Sequence, residues 1–250
     1  MESLAPVLVE ACVDSLVSAS RAVAGGARRL ELCSGLVEGG VTPSLGLMET
    51  VRKAVDVPIH VLIRPRGGDF LYDADEVAVM TADIALARRL GMAGVVIGAL
   101  TPDGRIDERV TGALAGAARP MAVTFHRAFD LAESARECVE ALVRLGIERV
   151  LTSGQANTAV EGIPVLREMV RWSAGRVAVL AGGGISESNA LRIVRETGVR
   201  EIHLRGSIVE DSAMQFRRTG VFMGKRYEPD EYRRSGTGED RIRAVVTAVG

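Results

Sequence analysis

The sequence predicts an α/β protein, built as a single closed (β/α)8 barrel of eight parallel strands that are each followed by a helix. Three observations predict this fold. Eight short β-branched runs recur along the chain, a helix-length segment separates each run from the next, and 250 residues is a common size for such a barrel. An open doubly wound sheet is the alternative, but eight strands without a second domain favour closure.

The predicted strands are short apolar runs bounded by turn residues. In chain order they are Val7–Val13, Arg29–Ser34, Ile59–Arg64, Gly94–Leu100, Ala122–Phe129, Arg149–Ser153, Arg176–Leu180 and Glu201–Leu204. Parallel neighbours need long crossovers, so a helix is expected after each strand.

The segments between the strands show helical spacing of Leu, Val, Ile and Ala, and several begin with Asp, Ser or Glu and end near Gly. They are Asp14–Ala24, Ser44–Ala54, Asp75–Leu90, Asp107–Ala118, Glu133–Leu145, Ala159–Trp172 and Ser188–Thr197. A final helix is predicted over Glu239–Val249, after a long polar loop over Ile208–Gly238 of a length that is usually functional or disordered. Residues 1–250 are therefore predicted to form one domain.

Composition and charge argue against several classes of protein. A formal net charge of −1 gives no reason to expect nucleic acid or an anionic membrane as partner. No apolar stretch approaches the ~18 residues of a membrane span, and residues 1–15 lack the features of a secretory signal. Three cysteines, Cys12, Cys33 and Cys138, are too few and scattered for a disulfide framework. The expected compartment is the reducing cytoplasm.

Strands one and two both carry the pattern Glu-x-Cys. Alternation along a strand places Glu10 and Cys12 on one face, and likewise Glu31 and Cys33. A carboxylate inside a barrel costs several kcal/mol unless it is paired or wet, so two of them near strand ends indicate a polar site. Alternatively, one or both point toward the helices and meet an arginine.

Cys12 and Cys33 lie on adjacent parallel strands, whose backbones run about 4.8 Å apart. Two thiolates at that separation could share one soft cation such as Cu(I). A disulfide and two inert core cysteines are the alternatives. Cys138, on a predicted helix, is expected to be structural.

Further polar residues follow the strands at their carboxyl ends, where ligands bind in barrels. They are Arg64 and Arg66 after strand three, His126 and Asp130 after strand five, and His203 in strand eight. One strand histidine is more often a core residue, but two at the same barrel end, beside carboxylates and an arginine, favour a site. His60 begins a strand and is expected at the opposite, stabilising face.

Glycine-rich turns follow strands six, seven and eight. Ser153 lies in LTSG, Gly182–Gly184 lie in AGGGIS, and Gly206 and Ser207 follow strand eight. Such turns expose backbone N–H groups, and in barrels the loops after strands seven and eight often hold a phosphate. The alternative is that the glycines only make the turn.

In these segments the sequence resembles the CutC copper-homeostasis family. The motifs EACVDS, RRLELCSGLVEGGVTPS, VLIRPRGGDFLY, TFHRAFD, RVLTSG, AGGGIS and EIH follow the family's order from residue 8 to about residue 224. The resemblance implies a barrel of the TIM type, a cytoplasmic setting, a homodimer or larger homo-oligomer, and a role in handling copper. In the members that this chain resembles most, the two strand-end cysteines are the proposed Cu(I) ligands, here Cys12 and Cys33.

Two hypotheses for function follow. In the first, the cysteine pair binds Cu(I) for cytosolic copper buffering or trafficking. In the second, the same pocket performs acid–base chemistry on a small anionic metabolite, phosphorylated or carboxylated. Its candidate catalytic residues are Glu10, Glu31, His126, Asp130 and His203, and its candidate anion-binding residues are Arg64, Arg66, Ser153, Gly182, Gly183 and Gly184.

Overall fold

The computed structural model describes residues 6–221, 223 and 231–250, and it contains a closed barrel of eight parallel strands. The strands are β1 (Leu8–Val13), β2 (Arg29–Leu32), β3 (Ile59–Leu62), β4 (Gly94–Ile97), β5 (Ala122–Phe125), β6 (Arg149–Thr152), β7 (Ala178–Gly182) and β8 (Glu201–Leu204). They pair in sequence order, and β8 pairs with β1 to close the ring. The predicted fold class is confirmed.

Helices lie between consecutive strands and after the last one. They are α1 (Leu16–Ala24), α2 (Leu45–Ala54), α3 (Ala74–Arg89), α4 (Glu108–Ala118), α5 (Ala135–Arg144), α6 (Ile163–Ser173), α7 (Ala190–Thr197) and α8 (Glu239–Val249). Five of them begin at a side chain that accepts a hydrogen bond from the backbone N–H three residues on, namely Ser15, Ser44, Asp73, Asp107 and Ser134. In the part of the chain that the structure describes, every helix is too short or too polar to cross a membrane.

Several strands end earlier than the sequence pattern predicts. The fifth was expected over Ala122–Phe129, but its last residues form a 3₁₀ turn over Arg127–Leu131. The turn begins at His126, whose ring nitrogen accepts the Ala128 N–H. The chain therefore leaves the barrel directly after β5, and the side chains that follow no longer alternate between its two faces.

The segment Ile208–Gly238, predicted as a long loop, contains an antiparallel pair of strands. These are β9 (Ser207–Asp211) and β10 (Arg233–Thr237). The hairpin is anchored to α1, because Arg21 forms a salt bridge of 2.9 Å with Glu210. Residues 222 and 224–230 of the predicted loop lie outside the described residues.

The two faces of the strands differ in polarity. On β1, Val9, Ala11 and Val13 pack in the large apolar core between barrel and helices, whereas Glu10 and Cys12 face the barrel interior. Inside, Arg29 on β2 reaches Glu201 on β8 at 2.5 Å. These strands are not neighbours, so the contact passes through the interior.

This interior ionic layer also contains Arg149, whose Nε lies 2.5 Å from a Glu201 oxygen. His60, expected on the stabilising face, is buried in the same interior and lies 3.4 Å from the Thr124 hydroxyl. Gly94 makes room for it, since a Cβ there would lie 2.6 Å from the imidazole. Burial lowers the pKa of His60 to about 4, so the ring is neutral.

Candidate functional site

A cavity of about 510 Å³ opens at the carboxyl ends of the barrel strands. This is the end at which barrels of this architecture bind their ligands. The predicted site residues that line it are Cys12, Glu31, Arg64, His126, Gly183, Gly184 and His203. Five strands and the loops after β7 and β8 thus converge on one cavity.

Cys12 and Cys33 lie side by side, with their Sγ atoms 3.4 Å apart. Both are free thiols and both are buried; Cys12 lines the cavity. The Cys33 thiol also lies 3.5 Å from the Val13 carbonyl, to which it donates. The contact with Cys33, together with burial, raises the pKa of Cys12. Cys12 is therefore a protonated thiol at neutral pH unless a cation displaces its proton.

Two further ligand-type side chains adjoin Cys12. Donor atoms of Cys12, Glu31 and His203 all lie within 4.8 Å of one another, and no other such cluster of three occurs among the described residues. His203 Nδ1 lies 2.8 Å from a Glu10 oxygen. A carboxylate in this position orients an imidazole as it does behind many metal-binding histidines.

The two buried carboxylates at this site have different surroundings. Burial alone would raise the pKa of Glu10, but the His203 hydrogen bond and the Arg29 charge outweigh it, and the pKa falls below its usual range. Glu10 thus does meet an arginine, although inside the barrel. Burial raises the pKa of Glu31 to about 7, and the negative charge of Glu10 contributes to the rise. One carboxylate is a fixed anion, and the other exchanges a proton near neutrality.

Burial lowers the pKa of His203. Its contacts with Cys12 and with the carboxylates of Glu10 and Glu31 raise the pKa by more, so the net shift is upward. At neutral pH the ring is therefore a buried imidazolium that is paired with Glu10. A metal ion that bound the His203 ring would have to displace a proton from it.

Arg64 and His126 form another wall of the cavity. The Arg64 guanidinium donates to the carbonyls of Glu38 at 2.7 Å, Gly40 at 2.8 Å and Gly68 at 2.8 Å. His126 Nδ1 accepts the Ala128 N–H at 3.1 Å. Burial and the nearby charge of Arg64 lower the pKa of His126 to about 3, so this imidazole is neutral.

Six predicted site residues are not among those that line the cavity: Glu10, Cys33, Arg66, Asp130, Ser153 and Gly182. Arg66 turns outward and pairs with Glu76, because β3 has already ended. Asp130 accepts from the Ser153 backbone N–H at 3.1 Å and from its hydroxyl at 2.9 Å. The structure therefore gives Asp130 the role of joining the turn after β5 to the loop after β6.

The cavity also has lining residues that were not singled out from the sequence. Phe70 lies in the loop after β3, Arg127 and Arg205 follow β5 and β8, and Arg241 comes from α8. Arg241 pairs with Glu187 at 3.0 Å. The motif TFHRAFD could have pointed to Arg127, whereas nothing local in the sequence places α8 over the mouth of the barrel.

Comparisons with known proteins agree with this geometry. A family model described as the CutC family matches residues 7–208. A mouse protein named copper homeostasis protein cutC homolog is 47% identical over 238 residues, which are 95% of this chain and 88% of the relative. A CutC family protein from Bacteroides fragilis is 44% identical over 243 residues, 97% of either chain.

A solved structure shares both fold and sequence with this chain. The putative copper homeostasis protein CutC from Streptococcus agalactiae is 32% identical and superimposes with a TM-score of 0.76, covering 79% of this chain and 98% of that one. The match of the family model extends from β1 into β9 and so includes every barrel strand and both cysteines of the pair. The chain therefore belongs to the CutC family.

Proposed function

We propose that this protein binds Cu(I) through Cys12 and Cys33 and buffers or transfers copper in the cytosol. The observation that carries the proposal is the 3.4 Å separation of the two sulfurs at the ends of adjoining strands. Soft thiolate ligands select Cu(I). The copper-homeostasis names of the relatives support the same cargo.

The surroundings of the pair suit a transferable ion. Cys12 lines the open cavity, so copper has a route to the sulfurs from solvent. His203 and Glu31 offer further donor atoms near Cys12 for an ion that is being received or released. Because the pKa of Cys12 is raised, copper must displace a proton that is firmly held, and affinity should increase with pH.

Titration of the reduced protein with Cu(I) against a competing chelator tests the proposal. Wild type should bind one Cu(I) per chain. In the double variant Cys12→Ser, Cys33→Ser, the Cu(I) affinity should fall by more than the roughly 10–100-fold loss of metal affinity that follows removal of a ligand's hydrogen-bonding partner. The matched control is Cys138→Ser, which removes a buried thiol from α5. Equal copper affinity of the double variant and wild type would overturn the proposal.

The size and polarity of the cavity favour a second candidate function, acid–base catalysis on a small phosphorylated or carboxylated metabolite. A volume of about 510 Å³ is that of an organic ligand site, far larger than a metal ion. Glu31, with a pKa of about 7, faces this cavity as a group that can exchange a proton, and the neutral His126 faces it as a hydrogen-bond donor. A thermal-shift screen of anionic metabolites, followed by NMR of any that stabilise the protein, tests for turnover. Stabilisation by none of them would exclude this candidate.

The whole chain is proposed to act as one domain and to assemble as a homodimer or larger homo-oligomer, as the family resemblance implies. Light scattering coupled to size exclusion measures the mass in solution. A mass equal to one chain of 26.5 kDa would contradict the assembly.

A further inference from the structure

Unpartnered polar atoms are concentrated in the wall of the cavity. Among the described residues, six buried side-chain N or O atoms have no hydrogen-bond partner, and three of them belong to residues that line it: Glu31 Oε2, Arg64 Nε and His126 Nε2. Native proteins pair nearly all such atoms, because each one left unpaired costs about 1–3 kcal/mol. This clustering indicates a partner that the protein itself does not supply.

Arg64 has a donor to spare. A guanidinium has five N–H donors, and three of them are accepted by backbone carbonyls. Those acceptors hold the group in one orientation but carry no net charge. The Nε donor is buried and makes no hydrogen bond, the Tyr72 hydroxyl beside Arg64 is likewise unpartnered, and Arg64 lines the cavity. The fixed, positively charged group is thus suited to a negatively charged oxygen.

His126 supplies a second spare donor of defined direction. Its Nδ1 accepts the Ala128 N–H, so in the neutral ring the proton is on Nε2. Nε2 is buried and has no acceptor. Packing fixes the ring as well, since a Cβ on Gly98 would lie 2.4 Å from its Cε1 atom. The imidazole therefore presents a neutral N–H donor rather than a proton for transfer.

Phe70 brings these two donors to one wall. The Arg64 guanidinium carbon lies 4.8 Å from the centroid of the Phe70 ring, and the His126 ring centroid lies 4.8 Å from the same point. Leu36 and Leu62 add apolar surface to the cavity. A charged and a neutral donor beside apolar side chains suit a small molecule with an oxyanion group on a short carbon skeleton.

The charge of the whole cavity favours the same ligand class. Among the described residues, four arginines line it, Arg64 and also Arg127, Arg205 and Arg241, against the two glutamates Glu31 and Glu187. A concave site with an excess of one charge concentrates ligands of the opposite sign.

We propose that Arg64 Nε–H and His126 Nε2–H together bind the carboxylate or phosphoryl oxygens of a small organic anion. This site uses residues other than the cysteine pair and does not depend on copper. It deepens the second proposed function and rests on it only in that both require an anionic ligand in this cavity.

Calorimetric titration of the copper-free, reduced protein tests the proposal, with oxalate, malonate and inorganic phosphate as probes. At least one probe should bind saturably. Comparison of the affinity for phosphate with the affinities for oxalate and malonate shows whether the site prefers phosphoryl or carboxylate oxygens. Arg64→Met should weaken binding about 10-fold or more, the usual effect of losing a charged hydrogen bond. The matched control is Arg66→Met, which removes an arginine two positions on that lies outside the cavity. Absence of binding by all three probes, or equal affinity of the two variants, would overturn the proposal.

His126 provides a test that does not depend on how Arg64→Met folds. In wild type labelled with ¹⁵N-histidine, the His126 Nε2 resonance should shift saturably with the probe that binds. His126→Phe should weaken binding about 10-fold, and His126→Gln, which keeps an N–H donor, should restore part of it. An unmoved resonance at saturation would refute the role of His126. The Cys12→Ser, Cys33→Ser variant should bind the probe as wild type does, so failure of the copper proposal and failure of this one are distinguishable.

Discussion

Replacement of Arg29 by methionine tests whether the barrel interior depends on its buried cation. The Arg29 side chain is 5% exposed and lies between Glu10, which is 1% exposed, and Glu201, which is 15% exposed. Methionine fills much of the same volume without a charge. In Arg29→Met, Glu10 keeps only His203 as a charged partner, and Glu201 keeps Arg149.

The expected cost follows from these remaining partners. Removal of one member of a buried ion pair typically costs about 3–5 kcal/mol, because the other charge stays buried without compensation. Each carboxylate retains one partner here, so we expect the lower end, about 3 kcal/mol. For a chain of this size, about 2–4 °C per kcal/mol converts this to a melting temperature lower by about 6–12 °C.

Urea unfolding followed by circular dichroism at pH 7 measures the loss of stability. The matched control is Arg144→Met, whose arginine is 59% exposed and pairs with a 45% exposed Glu108. An exposed pair of this kind contributes less than about 1 kcal/mol. If Arg29→Met cost no more than the control, the argument that the interior carboxylates need this cation would be refuted.

The pH dependence of the same variant gives a second check. The folded-state pKa of Glu10 is lowered from 4.5, so its ionised form stabilises the wild-type fold above that value. The contribution is lost as the pH falls through the folded pKa. In Arg29→Met this pKa is less depressed, so ionised Glu10 contributes less stability that acid can remove. The difference in free energy of unfolding between variant and wild type should therefore become smaller in acid. A constant difference from pH 7 to pH 3 would contradict this reasoning.

In a histidine NMR titration from pH 8 to pH 5, His60 and His126 should stay neutral, with pKa values of about 4 and about 3, and His203 should keep its proton to a higher pH than an ordinary histidine does. The two neutral rings take up protons on unfolding, so the free energy of unfolding should fall as the pH drops from 6.5 towards the folded-state pKa values. A ring that titrates at its ordinary pKa would show that it is not buried as described. Gly98→Ala, whose methyl would lie 2.4 Å from the His126 ring, should displace the imidazole and weaken oxyanion binding while leaving Cu(I) affinity unchanged, as paired titrations would show. Asp130→Asn should cost about 2 kcal/mol in urea unfolding, because the carboxylate accepts from two backbone N–H groups and two hydroxyls. An unchanged free energy of unfolding in that variant would contradict this structural role.

Features governed by strand periodicity could be predicted from the sequence. The alternation of side chains placed Glu10 with Cys12, and parallel pairing of the first two strands brought Cys12 to Cys33. The first result depends only on a period of two, whereas the second also depends on barrel stagger, which the sequence does not settle. The two cysteines could therefore be placed on neighbouring strands, but the 3.4 Å separation of their sulfurs could not be predicted.

The same periodicity failed where the strands ended. Arg64 and Arg66 were both expected at the ligand-binding end of strand three, but β3 ends at Leu62, and Arg66 turns away from the cavity to Glu76. Alternation has no meaning beyond the last paired residue of a strand. Asp130 was placed at the barrel mouth by similar reasoning, and the 3₁₀ turn after β5 directs it to the neighbouring loop instead.

Contacts across the barrel could not be predicted in this way. Arg29 reaches Glu201, and Arg241 reaches the cavity from α8, only because the ring closes. Each contact joins segments far apart in sequence, and its partner depends on barrel stagger and helix packing rather than on a local pattern. The wall formed by Arg64, His126 and Phe70 shares this origin, since Phe70 comes from a loop without a periodic signal.

The hydrogen bond between Glu10 and His203 joins residues that are 193 positions apart. Contacts of such separation form late in folding, because a long stretch of chain must first be ordered. During synthesis, both thiols leave the ribosome well before the imidazole that completes their surroundings. Under the proposed function, the side-chain surroundings that would receive copper are complete only once the barrel has closed.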